Sequence, residues 1–273
     1  MKTELESRDE TVTRVKLLKR AYKACRKPIR RKRLKSLFQL LESSLDADCP
    51  HPTLASDVFA NSLREGEVNL VEQALADYDA EQIRVFHAVL ARWAFPANTL
   101  LKFDPERFEE RFRYHVRECS ADATDGFLLA RVHGEYEPNS DTIWPHFHGV
   151  AAGGMVPVLR KLKRRYRDLD GRTPPRTKIK ICRLRDRKQI DYIFQSFWPS
   201  RYRGSASNDE GKVIRQRKKG RMSEPYHSMW MLLMDKTKPY DLIIVMGNVA
   251  LSRSLRSHYH SAIKNALSSY ADS

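Results

Sequence analysis

Cysteine is scarce in this 273-residue chain, and its four copies, Cys25, Cys49, Cys119 and Cys182, lie far apart. Their spacing matches neither a zinc knuckle nor the disulfide framework of small secreted domains. Long hydrophobic runs are also lacking, since no apolar stretch approaches a transmembrane helix and residues 1–10 contain no secretory apolar segment. We therefore expect a cytoplasmic chain in a reducing compartment, with no membrane partner.

Negative charge is the other deficit. The chain has 50 Lys and Arg against 34 Asp and Glu, a formal net charge of +16. Such a balance favours polyanionic partners, nucleic acid before an acidic membrane. A membrane-surface role is disfavoured because the basic helices lack a broad aromatic face.

Basic residues concentrate in three segments. Eleven of them and no acidic residue lie between Lys16 and Lys35, where apolar residues recur at helical spacing, so we predict a phosphate-binding helical arm there. The other two are a helix predicted over 155–169 and a flexible loop predicted over 203–223. The predicted nucleic-acid contacts are Lys16, Lys19, Arg20, Lys23, Arg30, Arg31, Lys32, Arg33, Arg160, Lys163, Arg164, Arg167, Lys218 and Lys219.

The order of predicted elements indicates an α+β fold, with a central antiparallel sheet, flanking helices and a basic helical N-terminal region. Residues 1–79 are predicted to be helical. Residues 80–249 give a strand, a helix, a two-stranded hairpin, a helix, a strand and a helix. Two further strands are predicted at Trp230–Met234 and Leu242–Met246, and residues 250–273 form a C-terminal helix.

The most informative motif is the His-Phe-His triplet in Trp144-Pro145-His146-Phe147-His148-Gly149. Side chains alternate along a strand, so the two histidines share one face while Phe147 points to the other. Two imidazoles on one face suit a divalent metal ion. The alternative is a half-buried histidine pair that only packs.

The preceding segment brings a third imidazole to the same face. A four-residue turn at 138–141 would place His133, in the strand predicted over 126–137, directly opposite His146 at about 5 Å. Glu135 lies close by. A one-residue register shift would separate these groups. The predicted metal ligands are His133, His146 and His148.

A second His-x-His, His258 and His260, falls in a predicted helix. Residues two apart on a helix point about 200° from each other and cannot chelate one ion. We therefore expect this pair at the surface.

A tyrosine is the candidate nucleophile. The segment 188–197 has a buried stripe at helical spacing, and Tyr192 lies outside that stripe. Most helical tyrosines only pack, but the core does not need this one. A phenol is a poor nucleophile near neutral pH unless a cation stabilises its phenolate or a metal polarises the target. Lys188, one turn earlier, is predicted to be that cation.

Together these residues resemble the HUH endonucleases, and most of all the rolling-circle replication initiators of plasmids and phages. The resemblance covers roughly residues 80–200 and depends mainly on the Pro-His-Phe-His-Gly strand and a later helix with a tyrosine. We therefore predict an HUH-like endonuclease domain over residues 80–249. The resemblance implies an enzyme that nicks one DNA strand at an origin. His146, His148 and a third ligand, His133 before Glu135, would hold Mg²⁺ or Mn²⁺. Tyr192 would form a 5′-phosphotyrosine and leave a 3′-hydroxyl that primes synthesis.

The chain departs from this family in two places. Gln195 stands where members carry a lysine three residues after the tyrosine, and Lys188 would then replace that lysine. Tyr202, and less so Tyr166, are alternative nucleophiles. The first strand, 83–90, also lacks the usual threonines.

Other functions compete with origin nicking. The same chemistry serves conjugation and transposition, and a replication initiator would also engage a host helicase or polymerase. Histidine-triad hydrolases need a histidine where Val150 stands, and amidohydrolases need a full barrel. The strongest alternative is a basic DNA- or RNA-binding regulator without catalytic activity.

Overall fold

The architecture comes from a computed structural model. It describes residues 4–46, 51–119, 125–169, 178–195, 197–201, 204–207, 213–216 and 219–271. Within these ranges no helix combines the length and the apolar composition needed to cross a bilayer.

Helices and strands alternate through most of the described chain. The helices are α1 (Glu4–Ala24), α2 (Pro28–Asp46), α3 (Asp57–Leu75), α4 (Pro105–Cys119), α5 (Met155–Leu169), α6 (Arg187–Ile193), α7 (Tyr226–Lys236) and α8 (Val249–Ala271). The strands are β1 (Ile83–Val89), β2 (Phe95–Pro96), β3 (Phe127–Glu137), β4 (Thr142–Ala152), β5 (Lys178–Arg183), β6 (Ser200–Arg201), β7 (Gly204–Ser207), β8 (Val213–Gln216), β9 (Lys219–Gly220) and β10 (Ile243–Met246). Short 3₁₀ helices lie at Ala80–Gln82, Ala91–Trp93, Ala97–Lys102 and Pro239–Leu242.

A mainly antiparallel sheet is the centre of the fold, which confirms the predicted α+β class. Its strand order is β5-β1-β4-β3-β6-β9, with β10 paired to β3 and β2 paired to β4. The one parallel pairing described in it joins Tyr136 of β3 to Ser200 of β6. Strands β7 and β8 form a separate two-stranded sheet.

The β3–β4 hairpin has the predicted register. Its pairs run from Phe127 opposite Ala152 to Glu137 opposite Thr142, and His133 lies opposite His146. Alternating side chains then give the sheet one apolar face and one face that carries the histidines.

The apolar face packs on α4 and α5. Phe147 is fully buried, and its ring stacks on Phe108 and Phe112 at centroid distances of 4.6 and 4.3 Å. Asp104 begins α4, because its Oδ1 accepts a hydrogen bond from the backbone N–H of Arg107, as expected for an N-cap.

The histidine face is covered by α3, α6 and α8. Arg131 of β3 donates to Glu67 of α3 at 2.6 Å, and the Tyr259 hydroxyl of α8 donates to the same carboxylate at 2.7 Å. All three side chains are buried, so this polar network joins the sheet to two helices.

The strand predicted at Trp230–Met234 is wrong, because these residues lie in α7. Residues 227–234 are all buried, so the helix is buried on every side and lacks the 3.6-residue alternation that would identify it. Strand β10 and helix α8 agree with the predictions for 242–246 and for the C-terminal segment.

The segment predicted as a loop, 203–223, contains the backbone strands β7, β8 and β9 in its described parts. Its glycine, serine and lysine content favoured a loop. The hydrogen-bonded pairing of β7 with β8, and of β9 with β6, outweighs that composition. The N-terminal helices are present as predicted, and their buried residues, such as Leu18 and Leu34, belong to the same apolar cluster as Phe147.

Candidate metal centre and nucleophile

Strand β4 presents His146 and His148 to the face opposite Phe147. The aromatic packing of Phe147 therefore fixes the direction of both histidines. Gly149 completes the motif for a steric reason: a Cβ there would lie 2.3 Å from the Leu129 carbonyl oxygen and 2.5 Å from the Phe86 ring. Only glycine allows this close approach of β4 to its neighbours.

Strand β1 supplies a third histidine that the sequence reasoning missed. His87 pairs directly with His148 across β1 and β4. The ligand atoms of His87, His146 and His148 all lie within 4.8 Å of one another. The signal was the alternation of 83–90, which puts His87 on one face with Val85 and Val89. Whether this face is the one that carries His146 and His148 depends on how β1 pairs, which the local sequence does not show.

His133 reaches the cluster but makes a different contact. Its ring centroid lies 5.9 Å from that of His146 and 4.7 Å from that of His148. Its Nε2 lies 2.7 Å from the carbonyl oxygen of Ile193, the last residue of α6. A carbonyl only accepts, so Nε2 carries the proton. The group of converging ligand atoms contains His87 and not His133, together with His146 and His148. The ligand role of His133 stays a prediction.

The hydrogen bond of His146 sets its tautomer. Nδ1 lies 2.9 Å from the carbonyl oxygen of Trp144, so Nδ1 carries the proton and the lone pair lies on Nε2. A backbone carbonyl on the remote nitrogen is a common outer-shell partner of a metal-binding histidine. Nε2 of His148 is buried, and it has no hydrogen-bond partner among the described residues.

Two histidines of the cluster, His133 and His148, favour the neutral imidazole. Burial lowers the pKa of His133 well below its usual value, and the neighbouring His146 lowers this pKa further. Burial and then His133 do the same to the pKa of His148. Neutral imidazole is the form that binds metals, and the convergent imidazoles of His87, His146 and His148 suit a divalent transition metal.

Tyr192 lies beside these histidines, on α6. Its ring meets that of His148 edge to face at a centroid distance of 4.9 Å, and lies nearly parallel to that of His133 at 6.4 Å. Helix α6 is attached to α3, because Arg64 donates both to the backbone oxygen and to the carboxylate of Asp191. The Asp186 side chain caps its first turn.

A narrow cleft of about 40 Å³ lies between Tyr192 and the sheet. Its lining residues are His133, Gly134, Glu135, His146, Tyr192, Gln195, Phe197, Pro199 and Arg201. Glu135, the second choice as a ligand, is buried, and its Oε2 lies 2.7 Å from Nε of Arg201. Lys188 is exposed and lies outside this lining, so its predicted role receives no support from the geometry.

The alternative nucleophiles have separate outcomes. Tyr166 is only 1% exposed and packs against Trp93 on the apolar side of the sheet, and burial raises its pKa further. It cannot reach the histidines. Tyr202 lies outside the described residues.

The predicted nucleic-acid contacts divide between two surfaces. Most of those on α1 and α2 are exposed, although Lys19 pairs with Glu42 and Arg31 lies over the ring of Tyr22. On α5, Arg160, Lys163 and Arg164 are exposed. The side chains of Arg167 and Lys219, and all of Lys218, lie outside the described residues.

The expected surface pair on α8 is only half confirmed. His260 is exposed, but His258 is half-buried, and its Nε2 lies 2.9 Å from the Leu63 carbonyl oxygen.

Comparison with known proteins identifies no relative: no protein-family model, no curated protein and no solved structure matches the chain.

Proposed function

We propose that the chain is a metal-dependent DNA strand-nicking and joining enzyme of the HUH type, which initiates rolling-circle replication of a plasmid or phage-like element. The observation that carries the proposal is the meeting of the histidine group with Tyr192. Tyr192 lies with its ring 4.9 Å from that of His148, within the three-histidine group. Residues from strands β1 and β4 and from helix α6 thus converge on one small site.

The histidines would hold the metal, and imidazole donors favour Mn²⁺ over Mg²⁺. Mg²⁺ prefers oxygen ligands, whereas Mn²⁺ accepts both oxygen and nitrogen. When bound, the metal would polarise the scissile phosphate. His146 is oriented for this role by its bond to the Trp144 carbonyl.

Tyr192 would perform the covalent step. Its Oη forms a bond to phosphorus while the bond from phosphorus to the 3′ oxygen breaks. The phenol loses its proton to solvent, and the leaving 3′ oxygen takes one up. The products are a 5′-phosphotyrosine and a 3′-hydroxyl. Because the phosphodiester energy is conserved in the tyrosine ester, the strand can be rejoined without ATP.

Protein–DNA adducts test this proposal. The probe is a pool of randomised single-stranded oligonucleotides labelled at the 3′ end, since the strand 3′ of the nick stays on the tyrosine. We expect a labelled band that survives boiling in SDS, requires Mn²⁺ and disappears with EDTA. Sequencing the captured strands would give the cleavage site.

Matched variants assign the roles. Tyr192→Phe should abolish the adduct, whereas Tyr114→Phe, which changes an exposed tyrosine on α4, should not. An adduct that persists in Tyr192→Phe would move the nucleophile, with Tyr202 the next candidate. DNA binding with no adduct on any probe, including supercoiled plasmid, would favour the non-catalytic regulator.

A further inference from the structure

Arg201 is a cation in the cleft that the predicted mechanism does not use. It lies on β6, which pairs with the end of β3 through Ser200 and Tyr136. Its side chain is 31% exposed, while its partner Glu135 is 6% exposed. The buried carboxylate therefore holds a guanidinium that still has access to solvent.

The ion pair leaves part of the guanidinium for a ligand. Nε of Arg201 faces Glu135 Oε2 at 2.7 Å, and 31% of the arginine side chain stays exposed. The two Nη groups offer N–H donors in a planar fork that matches two oxygens of a phosphate. The positive charge also acts on the histidines, because Arg201 contributes to the lowered pKa of His148.

The site needs such a charge. A phosphodiester is anionic, and its negative charge shifts onto the attacking and leaving oxygens as the transition state forms. The position three residues after Tyr192 is Gln195, which is neutral, and Lys188 lies outside the cleft lining. Among the described lining residues, Arg201 is the one Lys or Arg.

We propose that Arg201 is a catalytic residue that binds the nonbridging oxygens of the scissile phosphate, and that Glu135 is the positioning residue that orients it. This role of Arg201 rests on the proposed nicking activity. It makes Arg201 the cation of the site, acting on the phosphate, whereas Lys188 was predicted to stabilise the phenolate of Tyr192. It also assigns Glu135 to the guanidinium and not to the metal.

Substrate charge provides the test. Two single-stranded oligonucleotides of the selected sequence are compared, one with the normal phosphate and one with a methylphosphonate at the scissile position, which removes the nonbridging negative charge. Adduct formation is measured for the wild type, Arg201→Gln, Arg201→Lys and Glu135→Gln. Arg253→Gln, which changes an exposed arginine on α8, is the matched control.

Arg201→Gln should reduce the rate on the normal phosphate about 100-fold or more, in line with the loss of one preorganised donor. On the methylphosphonate it should change the rate less than about tenfold, because the charge it binds is absent. Arg201→Lys should recover part of the lost rate on the normal phosphate. The rate of Glu135→Gln should lie between those of the wild type and Arg201→Gln. Mn²⁺ binding, followed by electron paramagnetic resonance, should be unchanged in all of these variants.

The outcomes separate the two proposals. If the wild type forms no adduct on either substrate, the nicking proposal fails, and with it this one. If the wild type reacts and Arg201→Gln reacts equally well, only the role of Arg201 is overturned. An equal loss on both substrates would also overturn it, since a merely structural ion pair does not distinguish a charged phosphate from a neutral one. Thermal melting identifies a variant that fails to fold. If Arg201→Gln does not fold, Arg201→Lys is compared with the wild type on the two substrates.

Discussion

His87 is the residue whose role the sequence left unassigned, and it decides the composition of the metal site. It pairs with His148 and completes the convergent group with His146. We predict that His87→Ala weakens Mn²⁺ binding at least about tenfold, as His146→Ala should, because each removes one of three imidazole donors.

Electron paramagnetic resonance of free Mn²⁺, titrated with protein, measures this effect directly. His260→Ala is the matched control, because His260 is exposed on α8 and is not a member of the convergent group. Unchanged Mn²⁺ binding in His87→Ala, together with loss in His133→Ala, would restore His133 as the third ligand.

His133 carries a separate prediction, because its Nε2 donates to the carbonyl of Ile193 at the end of α6. His133→Ala should release that end of the helix and reduce adduct formation roughly tenfold to 100-fold, since small displacements of a reacting group are costly. A glutamine amide nitrogen lies near the Nε2 position, so His133→Gln should restore much of the rate.

Adduct kinetics at saturating Mn²⁺ separate this positioning role from metal binding. If His133→Gln is as slow as His133→Ala while both bind Mn²⁺ normally, the bond to Ile193 is not what matters.

At this scale the sequence predicted more of the site than composition alone would suggest. The His-Phe-His spacing and the turn at 138–141 were enough to place His133 opposite His146, as the register confirms. His87 and Arg201 were missed for one physical reason. Each enters the site from a strand whose pairing depends on long-range contacts, and no local pattern encodes which strand lies beside β4.

At the scale of single elements, β4 depends on its aromatic anchor. Phe147 is fully buried and stacks between α4 and the sheet. Phe147→Ala should lower the free energy of unfolding by about 3–5 kcal/mol, because it leaves a cavity in a packed core. Tyr114→Ala, on the exposed side of α4, should change it by about 0.5 kcal/mol or less.

Urea unfolding followed by circular dichroism gives both values. A loss below about 1 kcal/mol for Phe147→Ala would mean that the stack does not hold β4, and that another contact directs the histidines.

Helix α4 also carries a buried carboxyl group, Glu109, whose pKa burial raises to about 9. Arg113 lowers this pKa, whereas Asp241 and Glu106 raise it. Glu109 is therefore neutral in the folded protein at pH 7, whereas in the unfolded chain it ionises near its usual pKa of 4.5. Unfolding releases a proton, so stability falls as pH rises from about 4.5 to about 9.

Glu109→Gln tests the sign of this effect. The slope attributable to Glu109 is about 1.4 kcal/mol per pH unit within that window. The variant should lose this slope. Its free energy of unfolding, compared with that of the wild type, should therefore be higher at pH 8 than at pH 5. Urea midpoints at the two pH values measure the difference, and parallel pH profiles for the two proteins would show that Glu109 is not neutral in the fold.

Helix α7 marks the limit of local prediction for whole elements. Its apolar run, Trp230 to Met234, is compatible with a buried strand or a buried helix, and only the surroundings distinguish the two. The amphipathic elements α4 and β5 were predictable, because each has one buried and one solvated side.

At the scale of the whole molecule, the basic residues behind the net charge of +16 lie on separate layers of the fold. Helix α5 packs with α4 on the apolar side of the sheet, so its exposed Arg160, Lys163 and Arg164 lie on the layer opposite the histidines. The N-terminal helices connect to the histidine side of the sheet, since α1 packs on α3 and α3 packs on α6.

This separation predicts two kinds of DNA contact. Neutralising Arg160, Lys163 and Arg164 of α5 together, each to Gln, should weaken binding of a long duplex of about 60 base pairs. The slope of log K against log salt should become shallower by about 0.9 for each lost phosphate contact. Adduct formation on a short single-stranded oligonucleotide should be unchanged, because a strand held at Tyr192 does not extend around the sheet to α5.

The matching change on α2, Arg30, Arg31 and Lys32 to Gln, provides the comparison. It should also flatten the salt dependence on the long duplex, since these residues belong to the run of eleven basic residues between 16 and 35. Fluorescence anisotropy over a series of salt concentrations measures both slopes. If the α5 variant loses adduct formation on the short strand, that strand must reach both sides of the sheet. If neither variant changes the slope, the phosphate contacts lie elsewhere on the surface, and the excess positive charge acts only through the overall field of the protein.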